Sequence, residues 1–415
     1  MADPEAHHPD QELYRRLNRL DQHFRPAAPV DTNDLLKGRT DQISRVLGAV
    51  GGIGEHAAIY GEPGVGKTSL SLVVQSILSV SKIATAVRVP CTSEDTFASI
   101  WDKYQEFLIR DIRRRRVPNP DHLRQTLEES DIRAGAPATP SNVFFLLDQL
   151  AEIQPITVFI DEFDRVVDWE AKSNVSDLIK MLSDERVNAT LVVVGVADDV
   201  EDLVAEHRSI ERNLLQIPMP RLQAGELTGI LKEGFEAADL SYDPAIAKDI
   251  VDISRGLPHY VHLMGRHIGR NALLAGSSTV TSEHWFNALI KSVEEAQETV
   301  ARQYAQAVSS HRQDALYAQV LLACALTPGD AWGAFLPSDI SVAYSRIMKM
   351  PRKTADFFRH LRAFTEDERG KVLDTRGEGR GTRYYFSNPL LQPYVILRGL
   401  QSGLATREDL PSLPA

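Results

Sequence analysis

Two short patterns in this chain are able to do chemistry together. Gly61-Glu62-Pro63-Gly64-Val65-Gly66-Lys67-Thr68 obeys G-x-x-x-x-G-K-[ST], the spacing of a loop that wraps phosphates. Its glycines let successive backbone N–H groups close around negative charge at a helix N-terminus. Lys67 adds a mobile cation and Thr68 a hydroxyl for magnesium, so Gly61 through Ser69 form the expected phosphate-facing set for a nucleoside triphosphate. The second pattern is Asp161-Glu162-Phe163-Asp164, which follows an apolar run. Hydrolysis of a bound triphosphate needs an acid to hold the metal and a group to orient water. Asp161 suits the first role, through water and beside Thr68, and Glu162 the second. Acids after a strand also cap the next helix, a reading that loses weight once a phosphate loop is present.

Both patterns sit where a parallel sheet would place them. His56-Ala57-Ala58-Ile59-Tyr60 reads as a short buried strand ahead of the loop, and Ser69 to Leu78 carries apolar residues at helical spacing behind it. Ile156-Thr157-Val158-Phe159-Ile160 is a continuous apolar run, as expected of a strand covered on both faces. Lys82 to Val89 and Thr190 to Val196 read as further strands, with a helical pattern around Phe97 to Phe107 between them. Strands alternating with helices imply a parallel, helix-covered α/β sheet, and ligands in such sheets bind beyond the carboxyl ends of the strands. Asp198 and Asp199, just past the last of these runs, point to the same crevice, where a polar group can sense a γ-phosphate.

A chain of 415 residues implies two or three domains. No apolar run approaches the length that spans a bilayer, and Met1-Ala2-Asp3-Pro4-Glu5 lacks the basic-then-apolar start of a secretory signal, so a cytoplasmic, non-membrane protein is expected. Cys91 and Cys324 stand alone and read as small core residues. Forty-six basic against fifty-seven acidic residues give a net charge of -11, which argues against non-specific coating of nucleic acid by the whole surface. Two stretches are locally basic: Arg110 to Arg116, and the region from Arg346 to Arg383.

On these segments the chain resembles the AAA+ ATPases, and within them the origin-recognition and replication-initiator group with the related STAND signalling ATPases. Leu36-Lys37-Gly38-Arg39-Thr40-Asp41-Gln42-Ile43 is similar to the box ahead of the phosphate loop that packs near adenine, Tyr60 to Thr68 to the Walker A segment, and Ile160 to Asp164 to the Walker B segment. Val194-Gly195-Val196-Ala197-Asp198-Asp199 is similar to the sensor 1 strand, and Gly256-Leu257-Pro258-His259-Tyr260-Val261 to the start of the sensor 2 helix in the lid. The resemblance covers about residues 30 to 300. It implies ATP and Mg2+ as ligands, contacts from Arg39, Pro258 and His259 to the nucleotide, and catalytic roles for Lys67, Glu162 and Asp198. Initiators usually carry Asn at the sensor 1 position and Arg at the sensor 2 position, where this chain has Asp198 and His259. A carboxylate beside a triphosphate repels it unless a cation intervenes, and a histidine titrates near neutrality, so the two departures favour a slow or gated switch over a fast motor. Arg212, or failing it Arg208, matches the arginine that reaches a neighbouring subunit's site; the alternative is an ordinary surface ion pair. The finger implies a homo-oligomer.

The expected organisation is an N-terminal extension (1–30), an AAA+ core (31–222), a helical lid (223–304) without strands, a winged-helix domain (305–400) and a tail (401–415). The winged helix is read from helices at Asp314 to Leu326, Ile340 to Met350 and Thr354 to Phe364, then strands Lys371 to Thr375 and Thr382 to Phe386 around a glycine-rich turn. Arg352, Lys353, Arg359 and Arg362 on or before the third helix, with Arg376, Arg380 and Arg383 in the wing, are placed to meet the phosphates of double-stranded DNA. The Arg113 to Arg116 run reads either as a DNA-facing insertion or as a solvated loop. Two functions follow: an ATP-dependent, DNA-associated switch, or a STAND-like regulator whose winged helix meets a protein partner. A small-molecule kinase would leave lid and winged helix without purpose.

Overall fold

A computed structural model describes residues 9–26, 29, 38–130, 132–133, 135–197, 212–295, 298–310, 316–377 and 379–413. The chain divides into two compact units. One comprises residues 29–62 and 66–219; the other comprises the N-terminal segment, residues 63–65 and everything from Pro220 onward.

The chain opens with helix α1 (Pro9–His23), which belongs to the second unit. The first unit is a five-stranded, wholly parallel sheet of β1 (His56–Tyr60), β2 (Thr85–Pro90), β3 (Ile156–Asp161), β4 (Ala189–Gly195) and β5 (Leu214–Pro218), in the order β2-β3-β4-β1-β5. Every residue of β1, β3 and β4 is buried, as three central strands covered on both faces require. The helices are α2 (Thr40–Gly51), α3 (Lys67–Ser81), α4 (Phe97–Arg113), α5 (Pro120–Glu129), α6 (Pro140–Ile153) and α7 (Trp169–Asp184). A capping box of Thr96 and Ser99 starts α4, and Pro120 and Pro140 stand in the first turns of α5 and α6. A cluster that includes Trp101, Tyr104, Phe159-flanking Val158 and Ile160, Leu147 and Leu178 forms the core.

Several expectations need correction. The strand read from Lys82 begins at Thr85, because Lys82 caps α3 in a left-handed conformation. β5 was not foreseen, and neither were α5 and α6. In the Arg113 to Arg116 run, α4 continues to Arg113, and the exposed Arg114 to Arg116 form the turn that follows.

In the second unit the lid segment holds α8 (Ala224–Ala237), α9 (Pro244–Ser254), α10 (Pro258–Leu274), α11 (Ser282–Glu294) and α12 (Glu298–Val308). It also contains two-residue parallel strands β6 (Ser241–Tyr242) and β7 (Thr279–Val280), so the expectation of no strand fails. α1 packs on α8 and α10 through Leu20 and Phe24. A Cβ added at Gly234 or Gly265 would lie 2.3 Å or 2.5 Å from the Phe24 ring, and one at Gly269 2.7 Å from Leu20. These glycines admit the helix by their lack of a side chain.

The chain then forms α13 (Tyr317–Leu326), α14 (Pro337–Met348), α15 (Thr354–Phe364), the antiparallel hairpin β8 (Leu373–Arg376) and β9 (Arg383–Phe386), and α16 (Leu391–Gln401). Cys324 and Cys91 are both buried and free, as expected. Among the described residues no helix is long and apolar enough to cross a membrane.

Candidate nucleotide site

The phosphate-loop segment leaves β1 and enters α3 with Gly61, Gly64 and Gly66 at φ of 151°, 83° and 101°. Two of these need glycine for stated reasons. Gly66 takes the left-handed conformation that caps α3, and a Cβ on Gly61 would stand 2.6 Å from the Met219 carbonyl oxygen, where β5 ends. Lys67 is folded back, its Nζ donating to the carbonyl oxygens of Gly61 and Glu62, both at 2.8 Å. Burial lowers its pKa to about 8, against the opposing pull of Asp164, Asp161 and Glu62.

Thr68 and Asp161 face each other across the sheet end, with Thr68 Oγ1 donating to Asp161 Oδ1 at 3.4 Å. Asp161 is 1% exposed. Its Oδ1 also accepts from the Glu162 N–H at 2.9 Å, and its Oδ2 from Arg88 Nε at 2.8 Å. Glu162 adopts φ 56°, a costly position for a side-chain-bearing residue, and its carboxylate accepts from Arg165 Nη1 at 2.7 Å. Asp164 accepts from the Val196 N–H at 2.8 Å, which ties the acidic loop to the end of β4. The order β3-β4-β1 thus sets one strand between the loop-bearing strand and the acid-bearing strand.

A hard hydroxyl and a hard carboxylate converging on one spot suit Mg2+, which commonly takes one or two protein oxygens and completes its shell with substrate phosphates and water. Among the described residues no three His, Cys, Asp or Glu side chains gather as a self-sufficient metal cage.

Lys67, Thr68, Asp161 and Glu162 are therefore brought to one strand end. Arg39 is 2% exposed and directly precedes α2. Arg212 is exposed in the turn before β5. Pro258 and His259 open α10 in the second unit; burial lowers the His259 pKa, opposed by a bond to the backbone of Pro26, so the ring is neutral at pH 7. Asp198, Asp199 and Arg208 lie outside the described residues. Arg352 stacks on Tyr344 with its Cζ 5.9 Å from the ring centre, Lys353, Arg359, Arg362 and Arg376 are exposed, and Arg383 pairs with Asp330 at 3.6 Å; Arg380 falls in the turn Gly379–Gly381. Sequence reasoning missed Arg88 and the brace made by Asp164. Arg88 gave one signal only, a lone charge in a strand of apolar residues.

A parallel sheet of this order, with a lysine-bearing glycine loop on one strand and an aspartate at the end of the next but one, defines a P-loop NTPase fold. Residues 35–194 match the family described as AAA ATPase domain. It is similar in fold to the ORC2 protein of Aeropyrum pernix, at 16% identity over 93% of this chain and 98% of that one, with a TM-score of 0.50. The Walker-type ATPase PABY2304 of Pyrococcus abyssi aligns at 14% identity over 89% and 98%, with a TM-score of 0.54. Cdc6p of Pyrobaculum aerophilum aligns at 18% identity over 93% and 99%, with a TM-score of 0.49. No curated protein matches the sequence.

Proposed function

We propose that the chain is an ATP-binding, Mg2+-dependent and slowly hydrolysing AAA+ switch that assembles with copies of itself and engages double-stranded DNA through a winged helix. The observation that carries the nucleotide part is the approach of Thr68 to Asp161 at 3.4 Å beside the folded-back Lys67. The A. pernix protein of similar fold is described in ADPNP and ADP complexes, which agrees with this reading.

In the proposed mechanism Lys67 leaves the carbonyl oxygens of Gly61 and Glu62 and turns to the β- and γ-phosphates, while the Gly64 to Ser69 backbone donates to them. Thr68 and Asp161 hold the divalent ion, which neutralises charge on the phosphoryl oxygens when bound. Glu162 gives up Arg165 to accept a proton from the attacking water. Arg212, exposed ahead of β5, reaches the site of a neighbouring copy. Arg39, Pro258 and His259 contact the base and phosphates, and the neutral His259 acts as a hydrogen-bonding sensor instead of a fixed cation. Asp198 is assigned to the sensor 1 role from the sequence alone. The proposed domains are the core (31–222), the lid (223–304) and the winged helix (305–400).

For DNA, α13, α14, α15 and the β8–β9 hairpin supply the three helices and wing, with Arg352, Lys353, Arg359, Arg376, Arg380 and Arg383 as phosphate contacts. A second reading, a STAND-like regulator with a protein partner, is favoured by one observation. Val342, Met350 and Phe358 are 59%, 51% and 50% exposed on and between α14 and α15, the same segments that carry the arginines, and exposed apolar groups suit a protein surface better than phosphates. Duplex binding with and without ATP at two salt concentrations separates the two. Steep weakening with salt supports DNA engagement; no binding at low salt leaves the protein-partner reading.

A further inference from the structure

β2 is an edge strand, and beside it lies a cavity of about 1060 Å³ bounded by α3, the end of α4 and the turn up to Pro120. Lys82, Arg88, Arg110, Arg115 and Arg116 line it, against a single acid, Asp111, in a chain whose net charge is -11. Arg88 is spoken for by Asp161, and Arg110 bonds Asp111 at 3.2 Å while stacking 4.7 Å from the Phe107 ring. Lys82, Arg115 and Arg116 are exposed, and no carboxylate among the described residues pairs with them. Like charges brought together without counter-ions repel one another, so the arrangement costs stability that an anion would return.

The edge itself is closed to strand addition at two points, since Gln75 Nε2 donates to the Ala86 carbonyl and Lys103 Nζ to that of Pro90. What remains open is a concavity lined by these cations together with Leu72, Val80 and Phe107. Its volume is that of a small-ligand site.

We infer that this groove is a second anion site, separate from the phosphate loop, for a compact small molecule that bears several phosphates. The inference goes beyond the proposed ATPase and stands whether or not that reading holds.

Inorganic tripolyphosphate, titrated calorimetrically into the full chain, is the probe. The phosphate loop is first saturated with ADP, and a Lys67→Ala variant serves as the second background. One site per chain that persists in both is expected. The double variant Arg115→Glu and Arg116→Glu, two exposed positions whose change spares the core, should weaken that site at least tenfold, with an unchanged melting temperature. Loss of tripolyphosphate binding in both backgrounds overturns the inference, as does undiminished binding by a folded double variant. A single-stranded oligonucleotide that binds here while tripolyphosphate does not overturns the small-ligand assignment.

Discussion

Raising the pH from about 7 to about 9 should weaken metal-free nucleotide binding about tenfold, and Lys67 is the reason. In the unliganded site burial holds its pKa at about 8. It is then largely charged at neutrality and about one-tenth charged a unit above its pKa. A bound triphosphate favours the charged ammonium, so above pH 8 binding must first recruit a proton, at about 1.4 kcal/mol per pH unit. The phosphates do not contribute, because their last ionisation near pH 6 is complete in this range. Stability runs the other way. The unfolded lysine keeps its ordinary value of 10.5, so between pH 8 and 10.5 the unfolded chain binds more protons than the unliganded fold, and that fold gains stability as pH rises. Calorimetry with ATP in EDTA, in two buffers of different ionisation heat, reads affinity and proton uptake together. A flat affinity across this range with no proton uptake refutes the argument that Lys67 is desolvated and then clamps the phosphates.

Glu162→Gln should keep ATP affinity within about twofold and lower hydrolysis at least a hundredfold, as loss of a general base does; turnover at the wild-type rate contradicts its role. Arg88→Met leaves Asp161 with one charged partner fewer, so the metal-free melting free energy should fall by about 2 kcal/mol and Mg2+ with ATP should restore more of it than in the wild type; equal shifts in both proteins by scanning calorimetry count against the pairing. Gly265→Ala drives a Cβ into the Phe24 ring and should cost about 1–3 kcal/mol in chemical denaturation, with Phe24→Leu in the same chain recovering part of it. Arg212→Ala should slow turnover, and mixing it with Glu162→Gln chains should restore activity if the arginine acts on a neighbour's site; no recovery at any mixing ratio argues for an ordinary surface arginine. Cys91, whose thiol burial pushes up to about 12, and Cys324, pushed higher still, should resist alkylation until the fold opens.

How much of this was legible depended on whether the signal was local. β1, β3 and β4 announced themselves as unbroken apolar runs because both faces are covered, and α15 matches its expected span from Thr354 to Phe364. The phosphate loop and acidic segment were readable because their chemistry forces residue types at fixed spacing. β5 was hidden because Leu214–Pro218 is a half-exposed edge strand ending in proline, with neither a continuous nor an alternating pattern. β6 and β7 are two residues each, below the length at which a period exists. Arg88 pairs with a residue 73 positions away, and no local rule links them; only the β2-β3 pairing does. α1 read as an extension because its packing depends on Gly234, Gly265 and Gly269, which a one-dimensional reading scores as helix weakeners and not as sockets for Phe24 and Leu20.

The central claim is that one cleft joins a lysine clamp to a metal-holding pair. It is tested most directly by ATP affinity measured with Mg2+ and with EDTA for the wild type, Lys67→Ala, Thr68→Ala and Asp161→Asn. Loss under both conditions for Lys67→Ala, and loss confined to the Mg2+ condition for Thr68→Ala and Asp161→Asn, is the predicted pattern. Wild-type affinity and metal dependence in Asp161→Asn would contradict it.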